Sequence, residues 1–260
     1  MNDGRWSDLA PRVGSAVVMV AVAGIELWLG GLWFESFIAV VTGLMVWELM
    51  RMVAPERGGA AVQMALLTGF AVLLAYHLPS LYSLPVLVAP ALVGAGQAGR
   101  HKGLYAVFAL WIALAGLGFI WIREVMGLDW MLWLVLVVVA TDVAGYFVGK
   151  MIGGPKFWPR VSPKKTWSGT AGGWAAAALV GGGFAIYAGL GAGLLLLSVL
   201  ASMASQAGDI AESALKRKMG VKDSSNLIPG HGGFLDRFDG MMGAAVFVML
   251  AGLFRAFGGL

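Results

Sequence analysis

The sequence predicts an all-α polytopic membrane protein of about nine transmembrane helices with a cytoplasmic N-terminus. Three observations predict this class. First, 59% of the 260 residues are hydrophobic and 12% are charged, whereas soluble domains average about 25% charged residues. Second, the apolar residues gather in stretches of roughly 20, the length that a helix needs to cross a bilayer. Third, the lysines and arginines are distributed unequally between alternate polar segments. The absence of cysteine excludes disulfides, zinc thiolate sites and cysteine nucleophiles.

The apolar stretches predict nine spans that follow one another along the chain. The polar N-terminus precedes an apolar run without a small-residue cleavage site, so the first stretch is interpreted as a retained span. The third and fourth spans are separated only by HLPS, and the fourth contains Pro85 and Pro90, so a kinked pair, a partly re-entrant segment and a count of eight remain alternatives. The predicted spans are roughly 13–31, 33–53, 60–78, 80–98, 103–122, 129–149, 168–187, 189–209 and 240–258.

The basic residues predict the orientation of these spans. Of the 18 lysines and arginines, all but Arg123 and Arg255 fall on the side of the N-terminus. The positive-inside rule assigns that side to the cytoplasm and favours an odd number of spans. We therefore expect an N-terminal bundle of about five spans over 1–125. A C-terminal region over 126–260 is expected to carry the chemistry on cytoplasmic loops 150–167 and 210–239.

The first of these loops ends in the sequence SPKKTWSG. Its hydroxyl and ammonium groups stand side by side just before a predicted helix; they belong to Ser162, Lys164, Lys165 and Thr166. Such groups, together with free amides at a helix start, suit a phosphate. Anchoring to anionic lipid headgroups is the alternative. The loop is not a Walker motif, because Pro155 stands where the lysine should be.

Some acids lie within predicted spans. Asp142 is a functional candidate, because ionisable groups within a membrane are costly, with a structural hydrogen bond between helices as the alternative. Glu26 and Glu48 stand alone in the sequence, and no function is assigned to them.

The second polar loop begins with a predicted helical extension of the eighth span. Polar residues share one face of it at about 100° per residue: Asp209, Glu212, Ser213, Lys216 and Arg217. An ordinary solvated face with a Glu212–Lys216 pair is the alternative. Asp209 would lie near the membrane surface, where a carboxylate needs compensation and a bound metal would supply it.

The rest of this loop includes the sequence GHGGFLDRFDG. Glycines around His231 permit close approach of the backbone to a ligand. Asp236 and Asp239 follow, with Arg237 between them. Carboxylates suit Mg²⁺, which is typically held by one or two of them plus substrate phosphates. Acids, cations and glycines in this combination predict phosphoryl or nucleotidyl transfer.

Residues 213–239, SALKRKMGVKDSSNLIPGHGGFLDRFD, resemble the signature of the phosphatidate cytidylyltransferases, or CDP-diacylglycerol synthases. Every fixed position is met: S-x-apolar-K-R, four residues, K-D, a short spacer, P or G, x, H-G-G, apolar, x and D-R-apolar-D. SPKKTWSG and DVAGYFVGK are similar to two further blocks of the family. Ser168 stands where the family usually has glutamate, and Gly145 replaces an alanine.

The resemblance implies that a phosphatidate oxygen attacks the α-phosphorus of CTP, giving CDP-diacylglycerol and pyrophosphate. It implies Mg²⁺, with a second cation left open, held by Asp209 and Asp236 and with Asp239 as a further candidate ligand. Lys216 and Arg217 complete the expected catalytic set. The expected substrate-binding residues are Ser162, Lys164, Lys165, Thr166, Ser213, Lys222, Asp223, His231, Gly232, Gly233, Arg237 and Asp142.

The expected partners are CTP, phosphatidate and membrane lipid, at the cytoplasmic face of a bacterial inner membrane; nucleic acid is not expected. A homodimer is left open, because the small residues of the seventh span permit close packing in one chain or between two. A transporter for an anionic or phosphorylated substrate is the alternative function, although the sequence lacks the internal repeats that would support it. The CDP-alcohol phosphotransferases are excluded as an alternative class of enzyme, because they need further aspartates downstream and no acid follows Asp239.

Overall fold

A computed structural model describes the chain over residues 9–258 and its side chains over residues 12–254. Arg5 and Arg255, which enter the charge count, lie outside the described side chains. Residues 9–258 form nine α-helices and one two-stranded hairpin. The helices are α1 (Leu9–Leu29), α2 (Gly31–Val53), α3 (Gly58–His77), α4 (Ser80–Ala95), α5 (Lys102–Trp121), α6 (Leu128–Ile152), α7 (Trp167–Tyr187), α8 (Leu194–Met219) and α9 (Leu235–Gly258).

Helix length and composition confirm the all-α membrane class. Within the described part of the chain, eight helices are long and apolar enough to cross a membrane, and the chain is an integral membrane protein. The exception is α4, whose 16 residues include Pro85 and Pro90. At 1.5 Å per residue it is about 24 Å long, short of the ~30 Å hydrocarbon core. The count of nine spans and the side of the N-terminus remain predictions.

Of the two helices that flank the second polar loop, the first ends as predicted and the second begins earlier than predicted. Helix α8 runs unbroken to Met219, as expected for a helical extension of the eighth span. Helix α9 begins at Leu235 rather than at residue 240, so Asp236 and Asp239 lie in its first turns. The physical reason is capping, since the carboxylate of Asp236 accepts a hydrogen bond from the Gly233 N–H at 2.8 Å.

A short antiparallel hairpin occupies the first polar loop, where the sequence predicted no strands. It pairs β1 (Lys156–Trp158) with β2 (Ser162–Thr166). Strand β2 therefore contains the SPKKT segment, and α7 begins directly after it, as predicted. Thr166 caps this helix, because its Oγ1 accepts the Gly169 N–H at 3.2 Å.

The chain forms two compact units. The first comprises Met1–Glu124 and Met219–Phe238, with α1 to α5 and the segment between α8 and α9. Its core is centred on α2, where Met45, Val46, Leu49 and Met50 have no exposed surface. Helix α2 packs against α3 and α5, and α4 packs against the same two helices.

The second unit comprises Val125–Lys218 and Asp239–Leu260 and contains α6, α7 and nearly all of α8 and α9. Helices α6 and α7 approach closely through glycines; a Cβ added to Gly169 would clash with the carbonyl oxygen of Gly145. The Trp133 indole donates a hydrogen bond from α6 to Ser198 of α8 at 2.8 Å. Small residues at the start of α7 thus serve packing within one chain.

Gly169→Ala should lower the stability of the protein by about 1–3 kcal/mol, because the added methyl group meets backbone rather than a movable side chain. Gly182→Ala is a matched control on the same helix, where a Cβ has no neighbour within 4 Å. It should raise stability by about 0.5–1 kcal/mol through helix propensity. Thermal unfolding in detergent, followed by tryptophan fluorescence, measures both. Equal midpoints for the two variants would contradict the close α6–α7 packing.

Candidate active site

A cavity of about 510 Å³ opens in the second unit between α6, the hairpin, the start of α7 and α8. Five residues of the predicted site line it together: Asp142, Lys164, Lys165, Thr166 and Asp209. The other lining residues are Thr141, Gly145, Tyr146, Gly149, Lys150, Lys156, Pro163, Gly169, Thr170 and Gln206. Two of the three sequence blocks that resemble the family thus meet at this cavity.

The cavity wall carries more positive than negative charge. Four lysines, Lys150, Lys156, Lys164 and Lys165, line it together with two aspartates, Asp142 and Asp209. Such a surface attracts polyphosphates and forms charge-assisted hydrogen bonds with them. Lys150 and Lys156 were not among the predicted site residues, because cations beside a membrane span are as readily explained by lipid anchoring.

Asp209 is held on this wall from two sides. The Lys165 ammonium forms an ion pair with its Oδ2, and Ser213 donates a hydrogen bond to its Oδ1 at 3.2 Å. About a quarter of each ion-pair side chain is exposed, 26% for Lys165 and 25% for Asp209. The structure therefore joins the SPKKT segment to α8 through two residues that are 44 positions apart in the sequence.

Glu212 and Lys216 form the ion pair that the sequence analysis considered. The pair does not lie on a solvated face, however. Lys216 Nζ lies 2.6 Å from Glu212 Oε2, and the Glu212 side chain has no exposed surface. A buried carboxylate is costly without its cation, so Lys216 compensates a charge in the interior of the protein. Arg217, the next residue, is exposed.

Three of the predicted acids in the second unit interact through their charges. Asp209 and Asp142 lie near enough to Asp239 for their charges to act on it, as does Lys216. Among the described residues, no group of three or more His, Asp or Glu side chains has the spacing of a metal site. Carboxylate oxygens are the ligands Mg²⁺ prefers, usually one or two with substrate phosphates. The magnesium assignment stays a prediction.

The segment between α8 and α9, residues 220–234, is here called the signature loop. Asp236 organises it within the first unit. Its Oδ2 accepts three hydrogen bonds, from the N–H and the hydroxyl of Ser224 and from the N–H of Gly233, each at 2.8 Å. Only 7% of Asp236 is exposed. Because Asp236 and Asp209 belong to different units, their metal pairing also stays a prediction.

His231 makes a contact that sequence spacing alone does not predict. Its Nδ1 lies 2.8 Å from the hydroxyl of Ser15 on α1, and that hydroxyl also lies 2.9 Å from the Pro229 carbonyl. Helix α1 therefore supports the tip of the signature loop.

The remaining predicted residues lie along the loop, on α9 or on β2. Lys222, Asp223 and Arg237 are exposed, Gly233 is buried, and Gly232 and Ser162 are half-buried.

Ser168, which stands where the family usually has glutamate, joins the first turn of α7 to the end of α6. Its hydroxyl donates to the Gly153 carbonyl at 2.5 Å and lies 3.0 Å from the Thr166 hydroxyl.

Glu48 is the main residue that sequence reasoning missed, and it contacts the signature loop. The available signal was its position as a lone carboxylate in an apolar span, which indicates cost without naming a partner.

Comparisons with known proteins show which family this chain belongs to. A model of the cytidylyltransferase family matches residues 10–254. Relatives named phosphatidate cytidylyltransferase come from Brucella suis biovar 1, 37% identical across 95% of this chain and 94% of the relative, and from Bacillus subtilis strain 168, 34% identical across 90% and 94%. A third, from Staphylococcus saprophyticus, is 41% identical across 55% and 57%. These matches confirm the resemblance, and the chain belongs to the cytidylyltransferase family of nucleotidyltransferase enzymes.

Proposed function

We propose that this protein transfers the cytidylyl group of CTP to phosphatidate, forming CDP-diacylglycerol and pyrophosphate. The names of the relatives support the choice of substrates. The observation that carries the proposal is the cavity in which four lysines stand beside Asp142 and Asp209 at the start of α7. Family membership favours an enzyme over the transporter alternative.

In the proposed reaction an oxygen of the phosphatidate phosphate forms a bond to the α-phosphorus of CTP. The bond from this phosphorus to the oxygen that bridges to the β-phosphorus breaks, and pyrophosphate leaves with that electron pair. A phosphomonoester, whose second pKa is about 6, is mostly ionised at pH 7, so a general base is not required. Catalysis can rest on positioning and electrostatic stabilisation, as in other phosphoryl transfers.

The cavity residues have distinct tasks in this proposal. Lys150, Lys156 and Lys164 would neutralise the phosphate oxygens of the two substrates. The first amides of α7 would donate to a phosphate at the helix N-terminus. Lys165 is positioned by its ion pair with Asp209, so its side chain is held in place before a nucleotide arrives.

The carboxylates of Asp209, Asp236 and Asp239 would hold magnesium, with a second cation left open. Hard carboxylate oxygens fit that ion. When bound, Mg²⁺ would supply positive charge to the phosphate oxygens on which negative charge accumulates. Ser213 would orient Asp209 through its hydrogen bond to Oδ1.

The active site is proposed to face the cytoplasm at a bacterial inner membrane. The unequal distribution of lysine and arginine supports this orientation. Trp158 at the end of β1 and Trp167 at the start of α7 are each 50% exposed. Tryptophan is typical of the membrane–water interface, which is where a soluble nucleotide would meet a lipid substrate.

The protein purified in detergent should convert phosphatidate to a nucleotide-linked lipid with CTP, and much more slowly with ATP, GTP or UTP. Magnesium should be required. Diacylglycerol, which lacks the attacking phosphate, is the matched control acceptor and should give no product. Chromatography of radiolabelled lipid measures all combinations. Folded protein that forms no lipid product with any nucleotide would contradict the proposal, and magnesium-independent solute flux in vesicles would favour a transporter.

A further inference from the structure

A buried carboxylate of the first unit, Glu48, accepts four hydrogen bonds. Its Oε1 accepts from the Ser225 hydroxyl at 2.6 Å and from the Phe234 N–H at 2.9 Å. Its Oε2 accepts from the Leu235 N–H at 2.7 Å and from the Ser224 hydroxyl at 3.1 Å. The residue has no exposed surface. Burying a carboxylate is costly unless donors replace its water, and here every donor comes from one short segment.

The four donors belong to opposite ends of the signature loop and its junction with α9. Ser224 and Ser225 lie near the loop's start, whereas Phe234 and Leu235 lie where it enters α9. Glu48 therefore ties the two ends together, in addition to the direct hydrogen bonds from Ser224 to Asp236. The Phe234 and Leu235 amides stand at the N-terminal end of α9, where a negative charge is stabilised by the helix dipole.

Ser224 connects Glu48 to Asp236. The Ser224 hydroxyl lies 3.1 Å from Glu48 Oε2 and 2.8 Å from Asp236 Oδ2, so its one proton is shared between the two carboxylates. The N–H of the same residue donates to Asp236 at 2.8 Å. A shift of Glu48 would therefore move a residue that makes two of the three hydrogen bonds on the Asp236 oxygen.

Two glycines of the H-G-G triplet are required by this arrangement. A Cβ on Gly233 would clash with the Ser224 hydroxyl and with Glu48 Oε1. Gly232 has a φ of +82°, and a Cβ there would lie 2.7 Å from Asp236 Oδ2. Both glycines thus have a reason to be present that involves the protein alone, in addition to clearance for a phosphate.

We propose that Glu48 is a positioning residue of the active site, which orders the signature loop and thereby sets the position of the Asp236 carboxylate. It touches no substrate in this proposal and acts through Ser224 and the start of α9. The inference rests on the proposed function for its effect on turnover. Its effect on the order of the loop is independent of the reaction.

The test compares Glu48→Gln with Glu35→Gln. Glu35 is a matched control because it is also buried on α2, with 5% exposed, and bonds to His77 at 2.8 Å. It lies 13 residues from Glu48, about 20 Å along the helix. Glutamine is nearly isosteric with glutamate, but it removes the charge and places a donor where two hydrogen bonds are accepted.

Two readouts are measured, the kinetics of CDP-diacylglycerol formation and hydrogen exchange of peptides that cover 222–236. Glu48→Gln should lower kcat by about 10²-fold, the effect of misplacing a site by about 1 Å. It should also accelerate exchange in 222–236 while other segments exchange as in the wild type. Glu35→Gln should leave kcat and loop exchange unchanged. If Glu48→Gln does not fold, Ser225→Ala, which removes one donor to Glu48, should show both effects to a smaller degree.

Two outcomes would overturn the proposal. One is wild-type kcat and wild-type loop exchange in Glu48→Gln, or in Ser225→Ala where Glu48→Gln cannot be purified. The other is faster exchange along the whole chain with an equal loss of activity in Glu48→Gln and Glu35→Gln, which indicates general destabilisation. Failure of the proposed function differs from both, since the wild type would then form no product while the exchange comparison still reports on loop ordering.

Discussion

Replacing Asp209 by asparagine is expected to abolish turnover while the protein stays folded. Asp209 lies on the cavity wall, pairs with Lys165 and accepts a hydrogen bond from Ser213. Asparagine keeps the shape but removes the charge that holds Lys165 and that would hold magnesium. We expect a loss of more than about 10³-fold, or roughly 4 kcal/mol in the activation barrier. Initial rates of CDP-diacylglycerol formation, with thermal unfolding in parallel, measure the two properties.

Asp129→Asn is the matched control for this substitution. Asp129 is exposed in the first turn of α6, 13 residues and about 20 Å from Asp142 along that helix. Its loss should leave the rate unchanged and lower stability by about 0.3–1 kcal/mol through the helix dipole. Full activity of Asp209→Asn would remove Asp209 from the catalytic machinery.

Replacing Asp236 by asparagine is the second substitution expected to abolish turnover. Three donors converge on Asp236 Oδ2, and hydrogen bonds to an ionised acceptor are about twice as strong as neutral ones. Asparagine can keep an oxygen in this place, so the protein should fold with a stability lower by about 1–3 kcal/mol. The lost charge should reduce kcat by more than about 10³-fold. Kinetics at several magnesium concentrations and thermal unfolding measure both effects.

Ser224→Ala distinguishes a direct role of the Asp236 carboxylate in the reaction from a role in ordering the signature loop. It removes the hydroxyl that bonds to Asp236 Oδ2 and to Glu48 Oε2, and it retains the charge of Asp236. If the carboxylate acts on the reaction directly, this variant should lose only about tenfold in rate, close to the ~1.4 kcal/mol of one such bond. Equal losses in Ser224→Ala and Asp236→Asn would mean that Asp236 acts through the loop alone and would contradict its assignment as a metal ligand.

Most helices were predictable because a membrane span is a local property of the sequence. About 20 apolar residues in a row specify a helix whatever its neighbours are, since its backbone must satisfy its own hydrogen bonds in lipid. The start of α9 was not predictable in this way. It begins at Leu235 because carboxylates of Asp236 and Glu48 accept the amides at that point, and Glu48 belongs to a distant helix.

The candidate site was predictable where its functional side chains belong to consecutive residues. Lys164, Lys165 and Thr166 form such a run, and the structure places them with Asp209 at one cavity. Lys150 and Lys156 line the same cavity but resemble ordinary positive-inside cations in the sequence. Only a folded hairpin distinguishes a lysine that faces a cavity from one that faces lipid headgroups.

The sequence by itself determined the family and the all-α membrane class, and it predicted most acids, cations and glycines of the candidate site. These follow from hydropathy and from motifs that are contiguous in the chain. The tertiary structure alone decided which of these residues have partners, because burial and hydrogen bonding join residues far apart in the chain. Glu48 shows the difference, since it is one isolated acid in an apolar helix by sequence, whereas in the folded protein it accepts hydrogen bonds from the signature loop and from the first residue of α9.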